Sequence, residues 1–154
     1  MGIIDEELAK AFLEDPDNYE LSSKVDEGTE ISDAAAEILS KHEGFLSFEM
    51  LQLLSDAAAE SLSKHRGEIL SLYGLEELSD AAAESLSKLR GCLSLGITEI
   101  SDAAAESLSQ HKGGLYLFAL EKLSDAAAES LSKYQGEINH EEPMEWVEAM
   151  RASD

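Results

Sequence analysis

Apolar residues recur along this chain in two alternating rhythms. In residues 55–67, Ala58, Leu62 and His65 fall at i, i+4 and i+7, a single helical stripe, while Asp56, Glu60 and Lys64 fall on the other side. After Gly67 the period changes from 3.6 to 2, and Leu70-Ser71-Leu72 reads in–out–in, a very short strand with one buried face. The same two rhythms return along the chain. Blocks open at Ser32, Ser55, Ser79, Ser101 and Ser124, spaced 23, 24, 22 and 23 apart, with a glycine twelve residues after each serine. Leu39, Leu86, Leu108 and Leu131 stand where Leu62 does, and Leu46-Ser47-Phe48, Leu93-Ser94-Leu95 and Leu115-Tyr116-Leu117 stand where the strand does. Periods of this length mark an array of stacked units.

Polar punctuation sets the element ends. Each serine is a good N-cap, because its oxygen can accept a free backbone N–H. Asp33, Asp56, Asp80, Asp102 and Asp125 follow, where negative charge suits the helix dipole, and three alanines come next. Gly44, Gly67, Gly91, Gly113 and Gly136 are expected to close the helices in a left-handed C′ conformation. Glu37–Lys41, Glu60–Lys64, Glu84–Lys88 and Glu129–Lys133 are spaced four apart in the favourable order. Length changes fall in loops: one extra residue at Glu68-Ile69, one fewer at Gly96. Further apolar positions follow each strand, at Leu51 and Leu54, Leu75 and Leu78, Ile97 and Ile100, and Leu120 and Leu123.

Each unit thus reads as strand, turn, helix, with a parallel strand one repeat later. A single unit cannot bury its own leucines, but stacked units build ladders of them. Parallel strands stack about 4.8 Å apart and helices about 8–10 Å apart, so helices on one side force curvature, with strands on the concave side. The pattern, well seen in "LYLFALEKLSDAAAESL" at residues 115–131, resembles a leucine-rich repeat of a bacterial, alanine-rich variety. The usual asparagine of that family is absent, with Leu51, Leu75, Ile97 and Leu120 near its place. The resemblance spans about residues 31–140 and implies an α/β solenoid: a horseshoe with short parallel strands on the concave side, helices on the convex side, and protein recognition. The expected organisation is an N-terminal cap over 1–30, five repeats over 31–140 and a capping helix over 141–154. The first cap should hold a helix over about 3–14 and a degenerate first strand in "NYELSS", residues 18–23. The second should begin at Pro143 and turn Met144, Trp146, Val147 and Met150 to the array.

Composition narrows the functional classes. The 154 residues are 44% hydrophobic and carry 33 acids against 11 bases, a net charge of −22. That field opposes nucleic-acid backbones and anionic membrane surfaces and steers a basic partner inward. Cys92 is the single cysteine, so no intramolecular disulfide forms. The N-terminus lacks a secretory pattern, Glu6 replaces the Ser or Thr of a myristoylation signal, and no run approaches about 20 apolar residues. A cytoplasmic chain is expected, either a whole repeat protein or a repeat fragment of a larger one.

The candidate chemistry is sparse. His42, His65 and His111 share one repeat position with Leu89 and Tyr134, which reads as packing near the helix end. No metal ligands, cofactor motif, G-x-S-x-G elbow or base near Cys92 emerges from the spacing, so the expectation is a protein without enzymatic activity and without cofactors. The outward-facing strand positions say more. One column holds Ser47, Ser71, Ser94, Tyr116 and Asn139; the next holds Glu49, Tyr73, Gly96 and Phe118; Phe45 precedes the first strand. Aromatic residues on an otherwise polar surface point to recognition. The expected binding surface is Phe45, Ser47, Glu49, Ser71, Tyr73, Ser94, Tyr116 and Phe118, facing a protein or peptide with a basic rim. The rival reading is a structural protein that assembles with itself.

Overall fold

In the computed structural model of the chain, which describes residues 2–152, the repeat serines occupy the positions their chemistry suggests. Ser32, Ser55, Ser79, Ser101 and Ser124 are extended N-caps, and each Oγ accepts the backbone N–H three residues on. The described chain is α/β. It runs β1 (Gly2–Ile4), α1 (Glu6–Glu14), α2 (Tyr19–Asp26), β2 (Gly28–Ile31), α3 (Asp33–Leu39), β3 (Leu46–Ser47) and α4 (Asp56–Leu62). It continues through β4 (Ile69–Leu72), α5 (Asp80–Leu86), β5 (Cys92–Leu95), α6 (Asp102–Leu108), β6 (Leu115–Tyr116), α7 (Asp125–Ser132) and α8 (Pro143–Ala152).

Two parallel sheets form, β1-β2 and β3-β4-β5-β6. In the larger sheet Leu46, Leu70, Leu93 and Leu115 pair in one row, and Ser47, Ser71, Ser94 and Tyr116 in the next. The insertion at Glu68 and the deletion at Gly96 leave this register intact. Behind the sheet, α1, α3, α4, α5, α6, α7 and α8 pack in succession. The leucines of both rhythms are buried, with Leu62, Leu70, Leu72, Leu86, Leu93 and Leu95 fully enclosed. Two alanines of each triplet, such as Ala58 and Ala59, are buried as well. Small side chains there let neighbouring helices approach closely.

The serine–aspartate pair also joins neighbouring repeats. Ser55 Oγ donates to Asp33 Oδ1 at 2.6 Å, Ser79 Oγ to Asp56 at 2.5 Å, and Ser101 Oγ to Asp80 at 2.5 Å. Ser124 Oγ donates likewise to Asp102. Asp125 has no following serine, and Arg151 of α8 donates to its carboxylate instead. One hydroxyl therefore caps its own helix by accepting and joins the previous helix by donating.

The repeat glycines behave differently from the sequence expectation. The helices of the first four repeats end five residues before them, and no described glycine has a positive φ. At Gly67, Gly91 and Gly113 the role is close approach between backbones, whereas a Cβ on Gly44 or Gly136 would meet the His42 or Tyr134 ring. A Cβ on Gly67 would lie 2.3 Å from the Gly44 carbonyl oxygen, and one on Gly113 2.2 Å from that of Gly91. Because the helices are this short, Lys41, Lys64 and Lys88 lie past their ends, and of the four expected i,i+4 pairs only Glu129–Lys133, at 3.5 Å, forms among the described residues.

The ends also depart from expectation. Ile3 and Ile4 lie in β1 rather than in a helix over 3–14, and Asp5 caps α1 by accepting from the Leu8 N–H. Residues 18–23 form no strand. Asn18 accepts from the Glu20 and Leu21 N–H groups and starts α2, a local cap overriding the weak strand pattern. The segment from Ile4 is itself a divergent unit: Ile4 pairs with Ile31, while Ala9 and Phe12 are buried as Ala36 and Leu39 are. At the other end Trp146 and Val147 are buried as expected, but Met144 is exposed. It is the second residue of α8, off the stripe that Pro143, Trp146 and Val147 bury. Ser153 and Asp154, included in the expected 141–154 cap, and Met1 lie outside the described residues.

Candidate binding face

The face of the larger sheet that points away from the helices is built from small residues with aromatic residues set among them. Ser47, Ser71 and Ser94 lie half-buried in one pairing row that ends in Tyr116. Phe45, Tyr73 and Phe118 are 63%, 51% and 59% exposed, a large apolar surface that the fold itself does not use. Glu49 is exposed as well. Tyr73 and Phe118 lie in the turns that follow β4 and β6, on either side of Gly96. Gly96 cannot be filled: a Cβ there would lie 1.5 Å from the Tyr73 carbonyl oxygen.

Tyr116 is the hub of the aromatic group. Its ring stacks on Phe118 at 5.9 Å and 16°, and meets His140 at 5.0 Å and 60°. Burial, then Cys92 and Glu137, raise its phenol above the usual value. His140 belongs to a tight turn in which Asn139 and His140 have φ of 53° and 68°. Asn139 accepts from the Leu117 N–H through its side chain at 2.6 Å, which continues the edge of β6 where regular pairing ends. Left-handed backbone at a histidine is uncommon, and here the turn carries its ring to Tyr116.

The structure gathers Tyr116 and Phe118 at one end of the face, with Tyr73 beyond Gly96. It places Phe45 and Glu49 at the other end, with the serines between. At that far end, burial and then the Glu49 and Glu27 carboxylates raise Asp26 above the usual carboxylate range. Sequence reasoning missed His140, because the last turn has no counterpart in the other units, and missed α2 as the source of Asp26.

The histidine column is enclosed. His65 and His111 are buried, with Leu89 and Tyr134 at the equivalent places. His42 meets Phe12 at 5.2 Å and 67°. Burial first, and for His65 also His42, hold the His65 and His111 imidazoles below their ordinary value. The Tyr134 hydroxyl donates to the Gly113 carbonyl, and burial pushes that phenol up to about 12. No helix among the described residues is long and apolar enough to cross a membrane. No protein-family model, curated protein or solved structure matches the chain.

Proposed function

We propose that the chain is a non-enzymatic scaffold for binding a protein or peptide, and that the outer face of the larger sheet is its binding surface. In this reading the units stack as a solenoid of the leucine-rich-repeat kind, with that face concave. In-register parallel strands and the succession of packed helices support the stacking. The observation that carries the binding role is the exposure of Tyr73 and Phe118 on either side of Gly96, beside the row of Ser47, Ser71 and Ser94. Large aromatic side chains lose little conformational entropy on docking and dominate interface energies. The partner meets a molecule of net charge −22, so its rim is basic, and added salt slows association more than it speeds dissociation.

The test is a variant with Tyr73→Ala, Tyr116→Ala and Phe118→Ala, measured against a partner recovered with the parent. Each truncation is expected to cost about 1–3 kcal/mol of binding while the fold survives. Unchanged affinity in a folded variant refutes the assignment. Light scattering across concentration separates the rival: growth in mass that the same substitutions abolish would make the face a self-assembly surface.

A further inference from the structure

Eleven bases face 33 acids in this chain, yet the bases least served by carboxylates lie together. Lys10, Lys24, Lys122, Lys133 and Arg151 each make an ion pair. Lys41, Lys64, Arg66, Lys88, Arg90 and Lys112 make none within 4.0 Å among the described residues. All six occupy the turns between helix and strand in successive repeats, the edge away from the Asp–Ser ladder.

Three cavities open on this edge, and their charges differ. The largest, about 670 Å³, sets Lys88, Arg90 and Lys112 against Glu84 and Glu106. Another, about 630 Å³, sets Lys41, Lys64 and Arg66 against Glu37, Glu43 and Glu60. The cavity between them, about 420 Å³, is lined by Lys64, Arg66, Lys88 and Arg90 against Glu60 alone. Of the three, it alone is also lined by His65. That residue is 1% exposed, and its ring lies among the backbone carbonyls of Ser40, His42 and Ile69.

We propose that this cavity binds a small phosphate-type dianion, gripped by Arg66 and Arg90 with Lys64 and Lys88. Guanidinium forks suit tetrahedral oxyanions and bind them bidentately. Helix C-termini oppose an anion, each by roughly half a charge, so α4 and α5 together subtract about one unit. Four bases against one carboxylate outweigh that. The same dipole accounts for Lys64 and Lys88, two residues past their helices, but not for Arg66 and Arg90, four residues past, because its effect ends within the last turn. The overall charge of −22 is screened over about 8 Å at physiological salt, so a small anion responds to the lining. A long polyanion extends onto the acidic faces and is repelled.

The experiment follows the His65 imidazole by NMR at constant ionic strength, with inorganic phosphate in one arm and O-phosphoserine in the other. Chloride and acetate are the controls. Both phosphates are expected to shift the His65 signals saturably, and the controls are not. Tighter binding of phosphoserine assigns the site to a carried phosphoryl group, and equal binding assigns it to the free ion. Arg66→Ala and Arg90→Ala should each weaken binding about tenfold, while Lys112→Ala, outside this cavity, should not. No saturable shift, an equal response to chloride, or binding that survives both arginine substitutions overturns the proposal. The site shares no residue with the Tyr73–Phe118 face, so either assignment can fail alone.

Discussion

At the scale of single residues, two kinds of position carry sharp consequences. The first is glycine at a close approach. Gly96→Ala places a methyl group against the Tyr73 carbonyl, 1.5 Å away, and backbone rather than a flexible side chain must yield. The expected loss is about 3 kcal/mol or more, at the upper end of overpacking costs. Gly114→Ala meets only Cys92 Sγ at 3.0 Å and Tyr116 Oη at 3.5 Å, both movable. Its loss should stay below about 1.5 kcal/mol, and urea unfolding of the two variants measures the contrast. The second kind is the buried imidazole. His65 and His111 have values held below the ordinary 6.5 by burial. Between the lowered values and 6.5 the unfolded chain binds more protons than the folded one. Stability is therefore complete above that window and is lost as pH falls through it. Acidification also neutralises some of the 33 acids, which relieves repulsion, so the useful comparison is with a variant. Replacing both histidines by leucine should make the fall in Tm from about pH 7.5 to about pH 5 smaller than in the parent. An equal fall would mean that groups other than these two histidines set the slope.

At the scale of elements, the serine–aspartate ladder sets what each repeat contributes to its neighbour. Ser101→Ala removes both the cap of α6 and the bond to Asp80, whereas Asp80→Asn keeps an acceptor in place. The serine change is expected to cost about 1–2 kcal/mol and the asparagine change a few tenths, read from chemical unfolding. Equal costs would make the contact between repeats, rather than the cap, the main term. Much of this level was legible in the sequence. The change of period from 3.6 to 2 placed the four strands of the larger sheet, and the serines placed five helix starts, because both signals are local and repeated. What escaped was set by the neighbouring repeat. The glycines looked like helix stops, but Gly67, Gly91 and Gly113 are required by the carbonyl of the unit before them. Residues 18–23 looked like a strand only by analogy with the units that follow, and Asn18 made them a helix. The binding face was half legible. Alternation gave Tyr73, Tyr116 and Phe118, while His140 arrives through a left-handed turn that no pattern announces. The unpaired bases of the turns were visible as letters. Their isolation from carboxylates appears only once the short helices leave Lys64 and Lys88 beyond reach of Glu60 and Glu84.

At the scale of the whole molecule, the packing runs from neighbour to neighbour: each helix from α3 onward meets the next, and α1 and α8 lie at the two ends. Stability in such a series is close to a sum of units and interfaces, so damage at an end is felt first nearby. α8 covers the last interface in two ways. Trp146 and Val147 are buried against it, and Arg151 binds the Asp125 carboxylate. The two contributions are unequal. An exposed ion pair is worth about 0–1 kcal/mol, whereas truncating a buried tryptophan costs about 3–5 kcal/mol. Trp146→Ala should therefore destabilise strongly and Arg151→Ala barely. The pattern of the loss is more telling than its size. Hydrogen exchange should show the amides of α7 losing protection first and most, with α4 and α5 retaining theirs until global unfolding. Ending the chain after Glu142 goes further: Leu131 and the buried alanines of α7 lose their cover, and aggregation should rise with concentration. If Trp146→Ala lowers protection equally in α4 and α7, the array unfolds as one cooperative body and α8 stabilises all of it. If the shortened chain stays monomeric with unchanged exchange, α8 is not a cap, and the last repeat closes the array through the turn at Asn139 and His140 instead.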